Sequence, residues 1–119
     1  MKFNPADFEI ITKIAREFPG TEPSVSHNDT PSVKVNGKLL ARLHENGKWI
    51  PIHVGFDARD ELKERHPDLF EIPEHFTKYP YIVMLVQQRY DVGLLKHVLE
   101  SAWKRLALKR QLAEYQNRK

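Results

Sequence analysis

The N-terminal part of the chain has apolar residues at helical spacing. Asn4 suits an N-cap position, and Pro5 suits the first position of a helix. Pro19-Gly20 is a strong stop signal. The pattern therefore predicts a helix over residues 5–18. The apolar residues that carry it are Phe8, Ile10, Ile11, Ile14, Ala15 and Phe18.

Residues 24–54 alternate between apolar and polar positions and contain two turn signals, Asn36-Gly37 and Asn46-Gly47. Alternation broken by such turns predicts a β-meander. At the first turn, a two-residue loop would pair Val35 with Lys38. A three-residue loop with Gly37 in a left-handed bulge would pair Val33 with Leu39. The second register segregates apolar from polar residues better, so we expect it.

The expected register gives the sheet an apolar face and a polar outer face. The outer face would carry Lys34, Lys38, Leu40, Arg42 and His44 from one hairpin, and Trp49, Pro51 and His53 from the next strand. The opposite face would carry Val33, Leu39, Ala41 and Leu43, followed by Ile50, Ile52 and Val54. Pro51 inside a strand indicates an edge position or a bulge.

The remaining pattern predicts a short helix, a connection, a strand and a long last helix. The short helix spans about residues 57–66, and the buried strand residues 81–86. The last helix begins near Asp91, and its apolar stripe includes Trp103. A straight continuation would bury Lys109, so we expect a break near Ala107–Leu108. Residues 108–119 would then form a basic tail on or beyond the surface.

Length and composition favour one domain over residues 1–119 in a reducing cytoplasm. The chain has no cysteine, which excludes disulfides and thiolate chemistry. The N-terminus lacks the pattern of a secretory signal. The longest strongly apolar run, YIVMLV, is far shorter than a membrane span. We expect no membrane association and either a monomer or a weak homodimer.

Positive charge is concentrated at the C-terminus. Residues 91–119 hold seven basic and three acidic residues, a net charge of +4, whereas residues 1–90 carry −1. Such asymmetry can attract an anionic partner such as nucleic acid, although a solvated helix face has the same composition.

Taken in order, several segments resemble the MmcQ/YjbR family of small bacterial proteins. The resemblance covers nearly the whole chain and rests on structural rather than catalytic motifs: FPG, TPSVKVNGKLLARL, IHVGFDAR and LLKHVLESAWKRLALKRQLAEY. It implies an α+β fold of the CyaY-like type, also likened to a double-wing DNA-binding domain. In that fold an antiparallel sheet of about four to five strands has the N- and C-terminal helices on one face. The family often has a proline where this chain has Leu108, so the resemblance implies a weaker break here than in the family.

The resemblance and the charge pattern together suggest DNA binding with little sequence readout. Lysines and arginines would neutralise phosphates, and a tryptophan would stack on a base or sugar. The candidate nucleic-acid-binding residues are Lys34, Lys38, Arg42, Trp49, His53, Lys104, Arg105, Lys109 and Arg110. A solvated sheet face without a ligand would carry similar residues, and Trp49 would then be covered by a loop.

We expect no catalysis, no small-molecule substrate, no metal and no cofactor. None of the six histidines belongs to a HExxH motif, and no P-loop, GxGxxG or GxSxG occurs. His44 and His53 with Glu45 or Asp29 are a weak candidate for a metal site. The first helix mixes acidic and basic residues, which argues against the iron-binding ridge of CyaY-like proteins.

The alternative function is a small protein-interaction module without nucleic-acid binding. The connection contains Phe70, Phe76, Tyr79 and Tyr81. Exposed aromatic residues would form a patch for a partner, whereas buried ones would cover the core. We favour burial.

Overall fold

The computed structural model describes residues 3–55, 57–79, 82–86 and 91–118, apart from the side chains of His27 and His75. These residues form six strands and four helices in an α+β arrangement. The strands are β1 (Thr21–Val25), β2 (Pro31–Val35), β3 (Lys38–Arg42), β4 (Trp49–His53), β5 (Phe70–Glu71) and β6 (Ile82–Val86). The helices are α1 (Glu9–Ala15), α2 (Ala58–Arg65), α3 (Val92–Leu106) and α4 (Lys109–Asn117).

The strands form one antiparallel sheet in the order β1-β2-β3-β4-β6-β5. The α+β class is as expected, with six strands instead of four to five. β1 begins earlier than the expected meander, and the two-residue β5 lies inside the aromatic connection. Helices α1 and α3 pack against each other and against the central strands. Their apolar residues and one face of the sheet enclose the core.

The N-terminal helix begins as predicted and ends earlier. Pro5–Phe8 form a 3-10 turn that leads into α1, and the Asn4 side chain accepts a hydrogen bond from the Ala6 amide. α1 ends at Ala15, and the chain turns through Gly20, whose φ is +81°. Phe18 is nevertheless buried in the core, so the apolar pattern predicts burial beyond the helix itself.

The expected hairpin register is wrong. Val35 pairs with Lys38 across a two-residue turn, in which Asn36 and Gly37 both have positive φ. That combination is typical of a type I′ turn. The register then shifts, so that Val33 pairs with Ala41 and Leu40 is the extra residue of a bulge. A bulge lets consecutive residues point inward, and Leu40 and Ala41 are both fully buried. Leu40 therefore belongs to the core, while Leu39 is half-buried.

The last helix breaks where predicted, but the segment beyond it is ordered as a second helix. Ala107 and Leu108 have extended backbone angles, with ψ of 146° and 157°. α4 follows at once, and its Gln111 and Tyr115 are buried against the rest of the chain. The segment expected as a surface tail thus contributes to the interior, since its two buried residues lie four positions apart on one helix face.

Candidate nucleic-acid interface

Three aromatic rings join the two ends of the chain. Phe18 stacks on Trp103 with ring centroids 5.4 Å apart, and Tyr115 meets both rings edge-on. The Trp103 indole donates a 2.7 Å hydrogen bond to the Pro19 carbonyl. We call Phe18, Trp103 and Tyr115 the aromatic hub. It fixes the FPG turn and α4 on the end of α3.

The tip of the β2–β3 hairpin is tied to the same place by an amide pair. The Asn36 and Gln111 side chains exchange two hydrogen bonds of 2.9 and 3.0 Å. Asn36 also donates to the Leu106 carbonyl, and Gln111 accepts from the Leu108 amide. The hairpin turn is therefore held against the junction of α3 and α4.

This tether brings together cations that are distant in sequence. Lys38 lies two residues after Asn36, and Lys109 and Arg110 immediately precede Gln111. Arg105 lies near the end of α3, where it donates a 3.0 Å hydrogen bond to the His53 carbonyl. All four side chains are exposed. We call Lys38, Arg105, Lys109 and Arg110 the basic corner.

Glycine at position 55 allows the arginine of the basic corner to lie across the end of β4. Gly55 has φ +106°, and a Cβ atom there would come within 2.8 Å of Arg105 Cδ. A larger residue would displace the guanidinium as well as strain the backbone. The IHVG segment, residues 52–55, thus positions the Arg105 side chain but supplies no positive charge of its own.

The outer face of the sheet is more closed than the sequence predicts. The edge position expected for Pro51 is wrong, because β4 lies between β3 and β6. Pro51 pairs with Met84, and both are buried. The Arg42 side chain is only 15% exposed, and it pairs with Glu45 at 2.8 Å. Burial raises the pKa of Glu45, but the hydrogen bond from Arg42, a backbone hydrogen bond and the charges of His44 and Arg42 together outweigh it, so the carboxyl pKa lies below its usual value. Arg42 is therefore largely committed to its own neighbour.

Trp49 also has a partner within the chain. Its indole N–H donates a 2.8 Å hydrogen bond to Glu71 of β5, and its ring meets His44 edge-on. The side chain is half-buried. The segment that holds the aromatic residues thus contacts Trp49 through Glu71 of β5, and the ring is partly shielded from solvent. A base can still reach the exposed part of the ring.

His53 is uncharged at neutral pH. Burial, followed by repulsion from Arg105 and Arg42, lowers its pKa to about 4. Burial and the charge of Arg42 likewise lower the pKa of His44, against the opposing effect of Glu45. Neither imidazole supplies a positive charge to a phosphate at neutral pH.

The other two candidate cations lie apart from the basic corner or are partly compensated. Lys104 is exposed but pairs with Glu100 at 3.5 Å, on the side of α3 that faces Tyr115. Lys34 is half-buried and lies opposite Glu22 in the sheet. The structure therefore divides the nine candidate residues between the corner, the outer face and the flank of α3.

The aromatic connection lies partly in the core. Phe70 is fully buried, whereas Phe76 and Tyr79 are half-buried and lie 5.9 Å apart. Tyr81 lies outside the described residues. The large hydrophobic residues that are exposed in the described part of the chain are Val25, Val92 and Leu108.

Within the same described ranges, no group of three histidine or acidic residues could hold a metal ion. His44 and Glu45 approach within 3.7 Å of each other, and a third ligand is not found there. Among these residues no helix has the length and apolar character needed to cross a membrane.

Sequence reasoning missed Asn36 and Gln111 as organising residues. Asn36 carries a turn signal, which predicts its backbone but not the partner of its side chain. Gln111 stands three residues after the helix N-cap, where a glutamine commonly binds back to the cap amide. The position of Gln111 in the sequence could therefore have indicated the start of a helix. It was not recognised because residues 108–119 were expected to form a tail.

Comparison with known proteins supports the fold and leaves the family open. No family model matches the chain, and no curated protein matches it either. Among solved structures, the chain is similar to protein DR2400 of Deinococcus radiodurans, which carries a domain of the DUF419 family model. The match has a TM-score of 0.65 at 18% identity and covers 89% of this chain and 85% of that one. The α+β fold of this chain is thus shared with a DUF419 protein.

Proposed function

We propose that the chain binds nucleic acid through the basic corner, by neutralising phosphates with limited base contact. The observation that carries the proposal is the amide pair of Asn36 and Gln111, which draws Lys38 to the cations of the α3–α4 junction. Among the residues that the structure describes, the ion pairs formed involve none of the four corner cations. Their charge is therefore available to an external anion.

The start of α4 adds to the positive field. Lys109 and Arg110 occupy its first two positions, and its first turn has no acidic residue. The N-terminus of a helix already carries a partial positive charge, so two cations there are locally unfavourable. A bound phosphate would relieve this repulsion. The side chain of Leu108 cannot accept a hydrogen bond from the first-turn amides.

The four residues of the corner are a subset of the nine candidate residues that the sequence suggests. The corner supplies the primary phosphate contacts, whereas Lys34 is half-buried and lies opposite Glu22. Arg42, Trp49 and His53 have partners or a protonation state that suit a structural role better. Lys104 lies outside the corner and contributes less charge, because Glu100 partly neutralises it.

We also propose that the chain is a bacterial protein of the MmcQ/YjbR family, acting in the cytoplasm as a binding protein rather than as an enzyme. The resemblance of its motifs supports the family, and the likeness to a DUF419 protein is consistent with it. The monomeric or weakly dimeric state expected from the sequence belongs to the same proposal.

The test is fluorescence anisotropy with labelled duplex and single-stranded DNA over a series of salt concentrations. We expect binding that weakens steeply with salt, because counterions are released from the phosphates. A variant with Lys38, Arg105, Lys109 and Arg110 all changed to Gln should bind more weakly. Its salt slope should fall by roughly one for each phosphate that the variant no longer neutralises.

The matched control changes Lys13, Arg16, Lys48 and Lys96 to Gln. These cations are exposed elsewhere on the molecule, and both variants have four fewer positive charges than the parent. Nearly full affinity in the control would place binding at the corner. An equal decrease in both variants would mean that only net charge matters. Absence of binding by the parent chain at low salt would overturn the proposal and favour a protein-interaction module.

A further inference from the structure

A cavity of about 240 Å³ lies between α2 and α3. Its apolar lining comes from five side chains: Val54 and Val98 are buried, and Ala58, Leu62 and Leu94 are half-buried. A cavity of this size is smaller than sites for drug-sized ligands. It suits a single ring system with an apolar face.

The rim of the cavity offers both hydrogen-bond donors and acceptors. Exposed Glu61 and Arg65 of α2 form an ion pair at 3.1 Å, which leaves further N–H groups and lone pairs unused. Histidine and serine side chains add groups of both kinds. The polar residues of the rim are Glu61, Arg65, His66, His97 and Ser101.

The cavity opens beside the basic corner. Ser101 on its rim precedes Arg105 by four residues on α3, so the two side chains lie about one helical turn, or roughly 5.4 Å, apart along the same face. Val54 of the lining precedes Gly55, across which Arg105 lies. A ligand anchored at Arg105 can thus reach the cavity without crossing the helix.

We infer that this cavity receives one nucleobase of a single-stranded nucleic acid whose phosphates lie on the basic corner. The inference rests on the proposed function. A base has two apolar faces and an edge with both donors and acceptors, which matches the lining and the rim. A simple carboxylate would use only the donors of the rim and leave its acceptors without a partner. A duplex keeps its bases stacked, whereas a single strand can turn one outward.

The first experiment compares a labelled oligothymidine with an abasic strand of equal length, by anisotropy at fixed salt. The two strands carry the same phosphates. Insertion of one base is worth about 1–3 kcal/mol in comparable sites, so the base-bearing strand should bind about tenfold more tightly.

Three variants, two in the cavity and one control outside it, locate the preference. Ser101→Phe places a ring in the mouth of the cavity and should abolish the preference for the base-bearing strand, with abasic binding unchanged. Val92→Phe adds the same ring at an exposed position of α3 outside the cavity, and should keep the preference. His97→Ala removes a rim group without adding bulk and should reduce the preference. This third variant serves if Ser101→Phe does not fold, as judged by circular dichroism.

The outcomes separate this inference from the proposed function. Equal, salt-dependent binding of the two strands would overturn the base site and leave phosphate binding intact. A preference that survives both cavity variants would also overturn it. If neither strand binds at low salt, the proposed function fails, and the base site fails with it.

Discussion

The aromatic hub and the basic corner lie against each other and use their residues in opposite ways. In the hub, polar groups are satisfied within the chain: the Trp103 indole binds the Pro19 carbonyl, and the Tyr115 hydroxyl donates to Glu100 at 2.8 Å. In the corner, four charged side chains are exposed, and that of Arg105 also donates a hydrogen bond to the His53 carbonyl. The hub maintains the fold, whereas the positive charge of the corner is not neutralised by an ion pair among the described residues. The difference teaches that the residues that hold the fold together and the residues that we propose to bind nucleic acid are separate sets in this chain.

Three of the four motifs meet at the aromatic hub and the amide pair. FPG supplies Phe18 and the Pro19 carbonyl, the Asn-Gly turn supplies Asn36, and the last motif supplies Trp103, Gln111 and Tyr115. These residues of the motifs maintain the fold. The corner cations lie within two of the same motifs, so the resemblance alone does not separate a structural residue from a binding residue.

The largest expected effect comes from removing the central ring of the hub. Trp103→Ala should lower the free energy of unfolding by about 3–5 kcal/mol, because it removes a fully buried aromatic side chain and leaves the Pro19 carbonyl without its donor. Urea unfolding followed by circular dichroism measures the change.

The matched comparison is Trp49→Ala on the outer face. Trp49 is half-buried, so its removal should cost less, about 1–3 kcal/mol, most of it from reduced packing and the missing hydrogen bond to Glu71. Equal destabilisation at the two tryptophans would contradict the distinction between a structural hub and a more accessible outer face.

The next effect concerns His53, which lies between the arginines of the corner and of the outer face. Its pKa of about 4 in the folded chain is below the ordinary value of 6.5. The unfolded chain therefore binds a proton first as the pH falls. Stability associated with His53 is complete above pH 6.5 and is lost progressively towards pH 4, by up to roughly 3 kcal/mol.

His53→Gln isolates this contribution because glutamine does not titrate. The difference in unfolding free energy between parent and variant should change between pH 7.5 and pH 4.5. As the pH falls, the variant should become more stable relative to the parent. Parallel curves over that range would show that the folded chain binds a proton at His53 as readily as the unfolded chain does. His53 would then add a positive charge beside the corner in acid.

A third effect tests the tether between hub and corner. Gln111→Ala leaves the Asn36 side chain and the Leu108 amide without their shared partner, and should cost about 1–3 kcal/mol. Gln116→Ala, at an exposed position of the same helix, should change stability by less than about 0.5 kcal/mol. Thermal unfolding of the two variants measures the contrast. DNA affinity should also fall in Gln111→Ala alone, since Lys38 is no longer held at the corner.

The sequence predicts the elements of this fold better than their contacts. Helical spacing and caps locate α3 and place Trp103 in the core, and the conflict at Lys109 predicts the break that follows. The hairpin register was wrong because both alternatives bury a reasonable apolar set, and the choice depends on a bulge at Leu40 that no local residue specifies.

The candidate site shows the same limit. Charge asymmetry points to the C-terminal part of the chain, which holds three of the four corner cations, and all four are among the nine candidate residues. Their grouping depends on an amide pair between residues 36 and 111, a contact that spans most of the sequence. Arg42 and Trp49 form internal contacts with Glu45 and Glu71. These contacts depend on side-chain orientations that only the folded chain fixes.

The smallest effect has an unusual sign and sharpens the comparison most. Lys109→Gln with Arg110→Gln removes two cations from the positive end of α4, so it should raise the free energy of unfolding by about 0.3–1 kcal/mol while weakening DNA binding. Removing a residue that serves only the fold should not raise stability and weaken binding together. Removing a residue of a binding site often does both, because such sites often cost stability. The same exchange at Lys13 and Arg16, exposed outside the first turn of α1, should leave DNA affinity unchanged. Destabilisation by the α4 pair would show that its side chains support the fold, and the corner would then belong with the hub.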